Sequence, residues 1–266
     1  MAQHVEANAG SGSEQWHEAL TQGHSVRSLK VLKRVMRVLP GPPRCKICNN
    51  PFGGVGGGIC RMVGFRPSKK NPRICSICCE EMPLGGAEVE TAVLFADIRG
   101  SIELAARLGP TLYAHLLNRF YSIATDTLIG RDATIDKLIG DEVMAFFVPG
   151  FAGPDFKRKA VGAAQALMRA LGFDGRAEPL VPVGIGVDVG TAYVGNVGGE
   201  NLIDFTALGD PVNMAARIQA QAMAGELLVS EAAFAEVADE FPDCHVRHIS
   251  VRGKQEKIGV YSVPVH

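Results

Sequence analysis

Residues 133–148, ATIDKLIGDEVMAFFV, read as two apolar strands joined only at Gly140 and Asp141. So short a connection reverses the chain between antiparallel neighbours, whereas parallel neighbours need a crossover of a dozen residues or more. The flanking segments obey the same grammar. ETAVLFADI (90–98) is apolar and β-branched, a buried strand. SIELAARLGPTLYAHLLNRFYSIATDTLI is helical and broken near Gly109-Pro110, with Leu112, Leu116, Leu117, Phe120, Ile123 and Ala124 as its inner stripe. FKRKAVGAAQALMRAL is a second helix, VPVGIGVDVG and TAYVGNVG are strands around a Gly turn, and DPVNMAARIQAQA opens a third helix. ELLVS, CHVRHISV and KIGVYSV close the chain as strands. Strand, helix, hairpin, helix, strand is the order of an antiparallel α/β sandwich with helices on one face, not of a doubly wound parallel sheet.

The 266 residues suffice for one domain of about 150 to 200 residues and something smaller. Hydrophobic content of 47% supports a packed core, and a net charge of −1 argues against nucleic-acid binding driven by global charge. No apolar run approaches the ~20 residues that span a bilayer. The first residues, MAQHVEANAGSGSEQW, lack a basic head with an apolar core, so a cytoplasmic location with reduced thiols is expected. Residues 1–13 are small and polar, a disordered tail. Residues 14–40 form an amphipathic helix, basic in SVRSLKVLKRVMRVLP, with Leu29, Leu32, Val35, Met36 and Leu39 on one face. Packing or dimerisation is its favoured use, and membrane-surface contact by residues 25–39 is the alternative. Residues 41–87 form a Cys-rich module with PLGGAE as linker, and 88–266 form the main α/β domain.

In the Cys-rich module, Cys45-x2-Cys48 and Cys75-x2-Cys78 are two knuckles separated by 26 residues. Paired CxxC turns offer four thiolates at the corners of a tetrahedron, the arrangement of structural Zn²⁺. Cys60 and Cys79 are spare thiols that keep an iron–sulfur cluster open as an alternative. RPSKKNPR between the knuckles is a basic loop, solvated by default. Cys244 reads as a small core residue, and the histidines show no ligand cluster.

Three further elements carry chemistry. Asp97 ends a buried strand and precedes Gly100 and Ser101 at the entrance of a helix. A carboxylate there suits a divalent cation, and the free N–H groups of the helix suit phosphates; a plain helix N-terminal Asp is the other reading. Asp141 at the hairpin tip could lie beside Asp97, so that the two carboxylates bridge two Mg²⁺ ions about 4 Å apart. In TALGDPVNMAAR, Asp210 caps a helix, Pro211 takes its first position, and Asn213 and Arg217 fall one turn apart on one face. That pair can brace a phosphorane and a ribose, or be solvent-exposed on an amphipathic helix.

VLFADIRGS, KLIGDEVMAFF, VGIGVDVGTAYVGNVG and DFTALGDPVNMAARI together resemble the class III nucleotidyl cyclases, over about residues 90–263. The resemblance implies an α+β, ferredoxin-like catalytic domain, an antiparallel sheet with helices. It implies that Asp97 and Asp141, with the backbone carbonyl of Ile98, bind two Mg²⁺ or Mn²⁺ ions per active site. Lys137 matches the adenine-reading lysine and Thr206 its partner, a position that is Asp in many relatives and Thr in a subgroup. Guanylyl cyclases place Glu and Cys at these two positions, so the pair reads as specific for ATP. Asn213 and Arg217 match the residues that stabilise the transition state. Arg252 matches the basic residue that contacts the triphosphate, with Lys254 second. The activity implied is conversion of ATP to 3′,5′-cyclic AMP and pyrophosphate. The implied site lies between two subunits of a head-to-tail homodimer, with the metal-binding Asp residues from one and the remaining groups from the other. Glu142 matches no family role and reads as a solvated turn charge. A catalytically silent nucleotide sensor on the same fold is the alternative; a nucleic-acid adaptor has only the basic loop behind it.

Overall fold

The computed structural model describes residues 9–22, 41–46, 48–79, 84–176, 178–199, 202–250 and 257–265. The elements begin with α1 (Ala9–Gln22), α2 (Gly54–Met62), α3 (Ser76–Cys79), β1 (Gly85–Ile98) and α4 (Ser101–Gly130). There follow β2 (Thr134–Ile139), β3 (Glu142–Phe147), α5 (Pro149–Ala152), α6 (Phe156–Ala170), β4 (Val183–Gly199) and β5 (Leu202–Leu208). The last are α7 (Asp210–Gln221), β6 (Leu227–Ser230), α8 (Glu231–Phe234), β7 (Val246–Ile249) and β8 (Ile258–Ser262). Two compact units divide the chain, each built from separated segments. One comprises 1–90, 148–154 and 191–209; the other comprises 91–147, 155–190 and 210–266.

The strand order is β2-β3-β1-β4-β6-β8-β7, with β5 paired to β4. The β2–β3 hairpin is antiparallel, as its two-residue connection requires, and β1 also pairs antiparallel with β3. The β4–β6 pair is parallel, so the sheet is mixed and not wholly antiparallel. The cause is α7, which lies between β5 and β6 in the chain and supplies the crossover a parallel neighbour needs.

In the larger unit, Thr91–Ala96 of β1 are buried at every position, so both faces of this central strand are covered. Ala160, Val161, Ala164, Leu167 and Met168 are the buried face of α6. In α4, Phe120, Ala124 and Leu128 are fully buried. Each large side chain of this core contributes about 1.5–3 kcal/mol by leaving water. The helix breaks where the sequence predicts, at Gly109 (φ 75, ψ 164) before Pro110. The inner stripe differs at one end: Leu112 is 59% exposed. A spacing of three and four residues back from Phe120 leads to Leu117 and Tyr113, and leaves Leu112 at the margin.

The Gly turn expected between VPVGIGVDVG and TAYVGNVG is absent; β4 runs unbroken from Val183 to Gly199. Its glycines serve close approach. A Cβ on Gly186 would sit 2.3 Å from the backbone nitrogen of Gln219, and one on Gly190 would sit 2.8 Å from Pro211 Cγ. Alternation of Val or Ile with Gly gives β4 an apolar face and a bare face, and α7 lies directly on the bare one.

In the smaller unit, Trp16, Ala19 and Leu20 of α1 are buried. The Trp16 ring stacks on Phe205 at 5.9 Å, and Phe151 meets the same ring at 6.2 Å. α1 begins at Ala9, inside the stretch read as a tail. β1 begins at Gly85, so the expected linker is already strand at 85–88. The basic stretch 25–39 lies outside the described residues.

Candidate functional site

Asp97 stands next to last in β1, opposite Glu142 in the β1–β3 ladder, and Asp141 occupies the turn that precedes β3. The ladder therefore brings the two aspartates into contact. Burial, then the charge of Asp141, pushes the Asp97 carboxyl up to about 7, and the two carboxyls share a hydrogen bond. Arg99 opposes the shift from 3.3 Å, Nη2 to Asp97 Oδ2. Two crowded carboxylates with a single guanidinium against them carry surplus negative charge. That is a donor set suited to hard divalent cations. Ile98, whose carbonyl the resemblance adds to this set, ends β1 with its side chain buried.

Gly100 takes the left-handed conformation (φ 66, ψ 30) that admits the chain from β1 into α4. It carries no side chain that could cap the helix, so the first N–H groups of α4 stay available to an anion. The Ser101 hydroxyl donates to Tyr113, and burial and the charge of Asp141 push the Tyr113 hydroxyl up. Tyr121, one stripe further along α4, donates to the carbonyl of Gly140 and so holds the hairpin tip that carries Asp141.

These partners were not among the residues singled out from the sequence. Tyr113 and Tyr121 sit on the helix that follows Asp97, and only packing turns them toward the pair. Arg99 had no signal either. Its Nη2 donates to the Gln219 carbonyl in α7 at 3.1 Å as well as facing Asp97. Glu142 is not a solvated turn charge: it is half-buried, and burial and Asp141 push its carboxyl up. It starts β3, so the ladder draws it inward.

Lys137 follows an irregularity in the β2–β3 register between Ile135 and Lys137. Such a bulge re-aims a side chain. Its Nζ lies 3.1 Å from the fully buried carboxylate of Asp136, with the lysine side chain 38% exposed. Thr206 is buried in β5 opposite Gly195, and its hydroxyl donates to the Ala207 carbonyl at 3.4 Å. Thr206 belongs to the smaller unit and Lys137 to the larger. Asn213 and Arg217 stand on the face of α7 opposite the buried Met214, Ala215 and Ile218. Asn213 is exposed and Arg217 half-exposed, and no hydrogen bond or ion pair to other described residues engages either. Arg252 and Lys254 lie outside the described residues.

The four cysteines Cys45, Cys48, Cys75 and Cys78 converge: all are buried, and their sulfur atoms lie within 4.8 Å of one another. Cys48 and Cys75 are 3.6 Å apart, close to the edge of about 3.8 Å that a zinc tetrahedron with Zn–S bonds near 2.3 Å requires. The Cys75 N–H donates to Cys45 Sγ at 3.3 Å, a contact that favours a thiolate. Hydrogen bonds from Cys48, Cys75 and Cys78 hold the Cys45 thiol well below its usual range. Cys60 is buried but outside the group, and burial pushes its thiol up. Cys244 is not a core residue; it is half-buried and donates to the Ser262 carbonyl at 3.5 Å.

The basic loop is engaged, not merely solvated. Lys70 pairs with Asp204 at 2.5 Å and donates to the Phe205 carbonyl, binding the module to β5 beside Thr206.

Residues 87–263 match the family described as the adenylate and guanylate cyclase catalytic domain. An uncharacterized protein of Mycobacterium tuberculosis is 33% identical over 183 residues, which are 67% of this chain and 33% of that protein. The terminal-differentiation specific adenylate cyclase of Dictyostelium discoideum is 30% identical over 75% of this chain and 10% of its own length. The chain thus spans a third or less of these relatives. Among solved structures, the adenylyl cyclase CyaB from P. aeruginosa has a TM-score of 0.58 at 27% identity, over 66% of this chain and 94% of that one. The guanylyl cyclase Cya2 has a TM-score of 0.60 at 23% identity, over 67% and 93%, a likeness of fold.

Proposed function

The chain belongs to the adenylate and guanylate cyclase catalytic domain family, and from that premise we propose that it is an adenylate cyclase, converting ATP to 3′,5′-cyclic AMP and pyrophosphate as a homodimer. The observation that carries this reading is the contact between the Asp97 and Asp141 carboxyls, with the Asp97 proton held up to about 7. Asp97, Asp141 and the Ile98 carbonyl would hold two Mg²⁺ or Mn²⁺ ions. When bound, these ions supply acidity at the ribose 3′-hydroxyl and neutralise charge on the triphosphate.

The residues of the chain do the rest. Gly100 and Ser101 present the open N-terminus of α4 to the phosphates, and Arg252 adds a positive charge. The 3′-oxygen attacks the α-phosphate as it loses its proton; a new P–O bond forms, the bond to the bridging oxygen breaks, and pyrophosphate leaves. Arg217 meets charge that grows on the α-phosphate during that step, so its loss lowers turnover more than binding. Asn213 orients the ribose. Asn213 exposed and Arg217 half-exposed on α7, neither engaged by another described residue, support donation to the site of a second copy. For the base, the Lys137 ammonium donates to a ring nitrogen, and the Thr206 hydroxyl accepts from the exocyclic amine. Guanine presents the opposite pattern on that edge. Both adenylyl and guanylyl cyclases share this fold, so specificity rests on these two side chains.

In this reading the four cysteines hold a structural Zn²⁺, and the module with its helix serves regulation or dimerisation. An iron–sulfur cluster fits less well, because the four sulfurs lie within 4.8 Å of one another, a cage sized for a single ion and not for several irons with bridging sulfides.

The test is incubation of the purified chain with ATP or GTP and Mn²⁺ or Mg²⁺. Cyclic AMP in excess over cyclic GTP is expected. A demonstrated dimer that binds ATP and releases no cyclic nucleotide would sink the enzyme reading in favour of a silent sensor. Elemental analysis should find one zinc per chain; iron with sulfide would reassign the cysteine centre.

A further inference from the structure

The Cys-rich module has a face that the cyclisation reaction does not use. α2 turns Gly56, Gly57 and Cys60 inward. On its other side Val55, Ile59 and Met62 are 74%, 44% and 82% exposed, and Val63, which ends the helix, is 64% exposed. Gly58 lies among them, and a Cβ added there meets nothing within 4 Å. This is a continuous aliphatic stripe on one short helix, with no protein against it among the described residues. Clusters of this kind mark contact sites, whereas isolated exposed aliphatics do not.

Charge says what kind of contact. Residues 19–79 contain 12 of the 27 Lys and Arg residues of the chain and no Asp or Glu. The remainder carries 15 basic residues against 28 acidic ones, so the net charge of −1 conceals a strongly basic segment. Within the module, Arg61 flanks the stripe on α2, and Arg66 and Lys69 are exposed in the loop that follows. Lys70 is committed to Asp204.

We propose that this face docks the protein on an anionic lipid bilayer, with Val55, Ile59, Met62 and Val63 entering the boundary of the acyl chains and the basic side chains resting among the headgroups. An apolar stripe rimmed by cations is the design of a helix that lies in the interface. Nucleic acid would share the charge but has little use for aliphatic tips; strand binding calls for stacking aromatics, and the exposed stripe has none. Docking is peripheral: α2 has 9 residues, and no described helix is long and apolar enough to cross a membrane.

Sedimentation of the full chain with vesicles tests this. Vesicles of phosphatidylcholine mixed with phosphatidylglycerol should bind it, pure phosphatidylcholine should not, and added salt should weaken binding. Ile59→Glu with Met62→Glu should cut binding at least about tenfold. Arg66→Gln and Lys69→Gln should each cost about fivefold. Gly58→Leu, which adds apolar surface in open space, should tighten it. Metal content and cyclase activity in solution should be unchanged in all of these, showing that the module is intact. Failure to bind anionic vesicles overturns the proposal. So does binding that survives the Ile59/Met62 pair, which would assign the attraction to charge alone. Tighter binding to RNA or duplex DNA than to vesicles, indifferent to that pair, would assign the basic segment to nucleic acid. Self-association that requires Met62 without vesicle binding would assign the face to a second copy.

Discussion

The cysteine cluster and the aspartate pair gather candidate metal ligands in opposite ways. Cys45, Cys48, Cys75 and Cys78 are buried, come from one unit and face one another, so one chain completes the centre. Asp97 and Asp141 meet at a half-buried turn, while the amide and guanidinium expected to act with them stand on the outer face of α7 with no hydrogen bond or ion pair among the described residues. A structural metal site gains stability from closure. A site that turns over substrate must keep open positions, and in the proposed reading a second copy supplies the other half. The contrast predicts that damage at the sulfurs reads out as stability and damage at the carboxylates as rate.

The largest effect should come from the open centre. Asp97→Ala and Arg217→Ala should each lower kcat by about 10³-fold or more, on the scale of lost transition-state electrostatics. Mixed together they should regain part of the activity through one intact site per heterodimer. Mixed dimers, verified by tag capture, that stay inactive would break the comparison, because the carboxylate centre would then be complete within one chain.

The closed centre should respond next. Cys75→Ser, or chelation of the folded protein, should remove the metal and lower the melting temperature, with loss of the near-ultraviolet signal of Trp16, the only tryptophan. Unchanged melting after verified metal loss would remove the structural role from the cysteines.

Arg99→Ala should have an intermediate effect, about tenfold in kcat, since Asp97 loses its counter-charge and α7 loses a tie through the Gln219 carbonyl. The pH dependence of the metal-free protein probes the same residue. Asp97 rises from 3.8 to about 7 on folding. The folded state therefore holds the proton more tightly than the unfolded state between these values, and stability falls as pH climbs through that window, then levels. Divalent cations should restore more stability above pH 7 than below it. An equal gain at both ends would show that the cations do not bind at Asp97.

Lys70→Ala should raise the KM for ATP a few-fold with little change in kcat, because Lys70 secures Asp204 and Phe205 next to Thr206. Such a shift would show the Cys-rich module acting on the proposed base-reading position at Thr206 through β5. The smallest effect belongs to Tyr121→Phe, which frees the Gly140 carbonyl and should cost roughly twofold to fivefold in rate for one exposed hydrogen bond.

Much of this is legible in the sequence. The short connection at Gly140-Asp141 prescribes antiparallel β2 and β3, and the ladder then places Asp141 beside Asp97. The CxxC pairs announced their cluster. Gly190 misled, because Gly in a strand marks either a turn or a close neighbour, and only the seat of Pro211 and Gln219 on β4 tells which. The basic loop looked idle because its partners, Asp204 and the Phe205 carbonyl, are 134 and 135 residues further along the chain.

Local chemistry thus determined, from the sequence by itself, the hairpin, the kink at Gly109-Pro110, the sulfur quartet and the identities of the acidic pair. Turn geometry, ring constraint and ligand spacing act over a few residues and leave their mark in order. Tertiary structure alone decided that Arg99, Tyr113, Tyr121 and Glu142 surround that pair, that β4 runs straight, and that α2 bares an aliphatic stripe amid positive charge. Those outcomes depend on which surfaces meet across the fold, and burial and Coulomb interactions act through space without regard to distance along the chain.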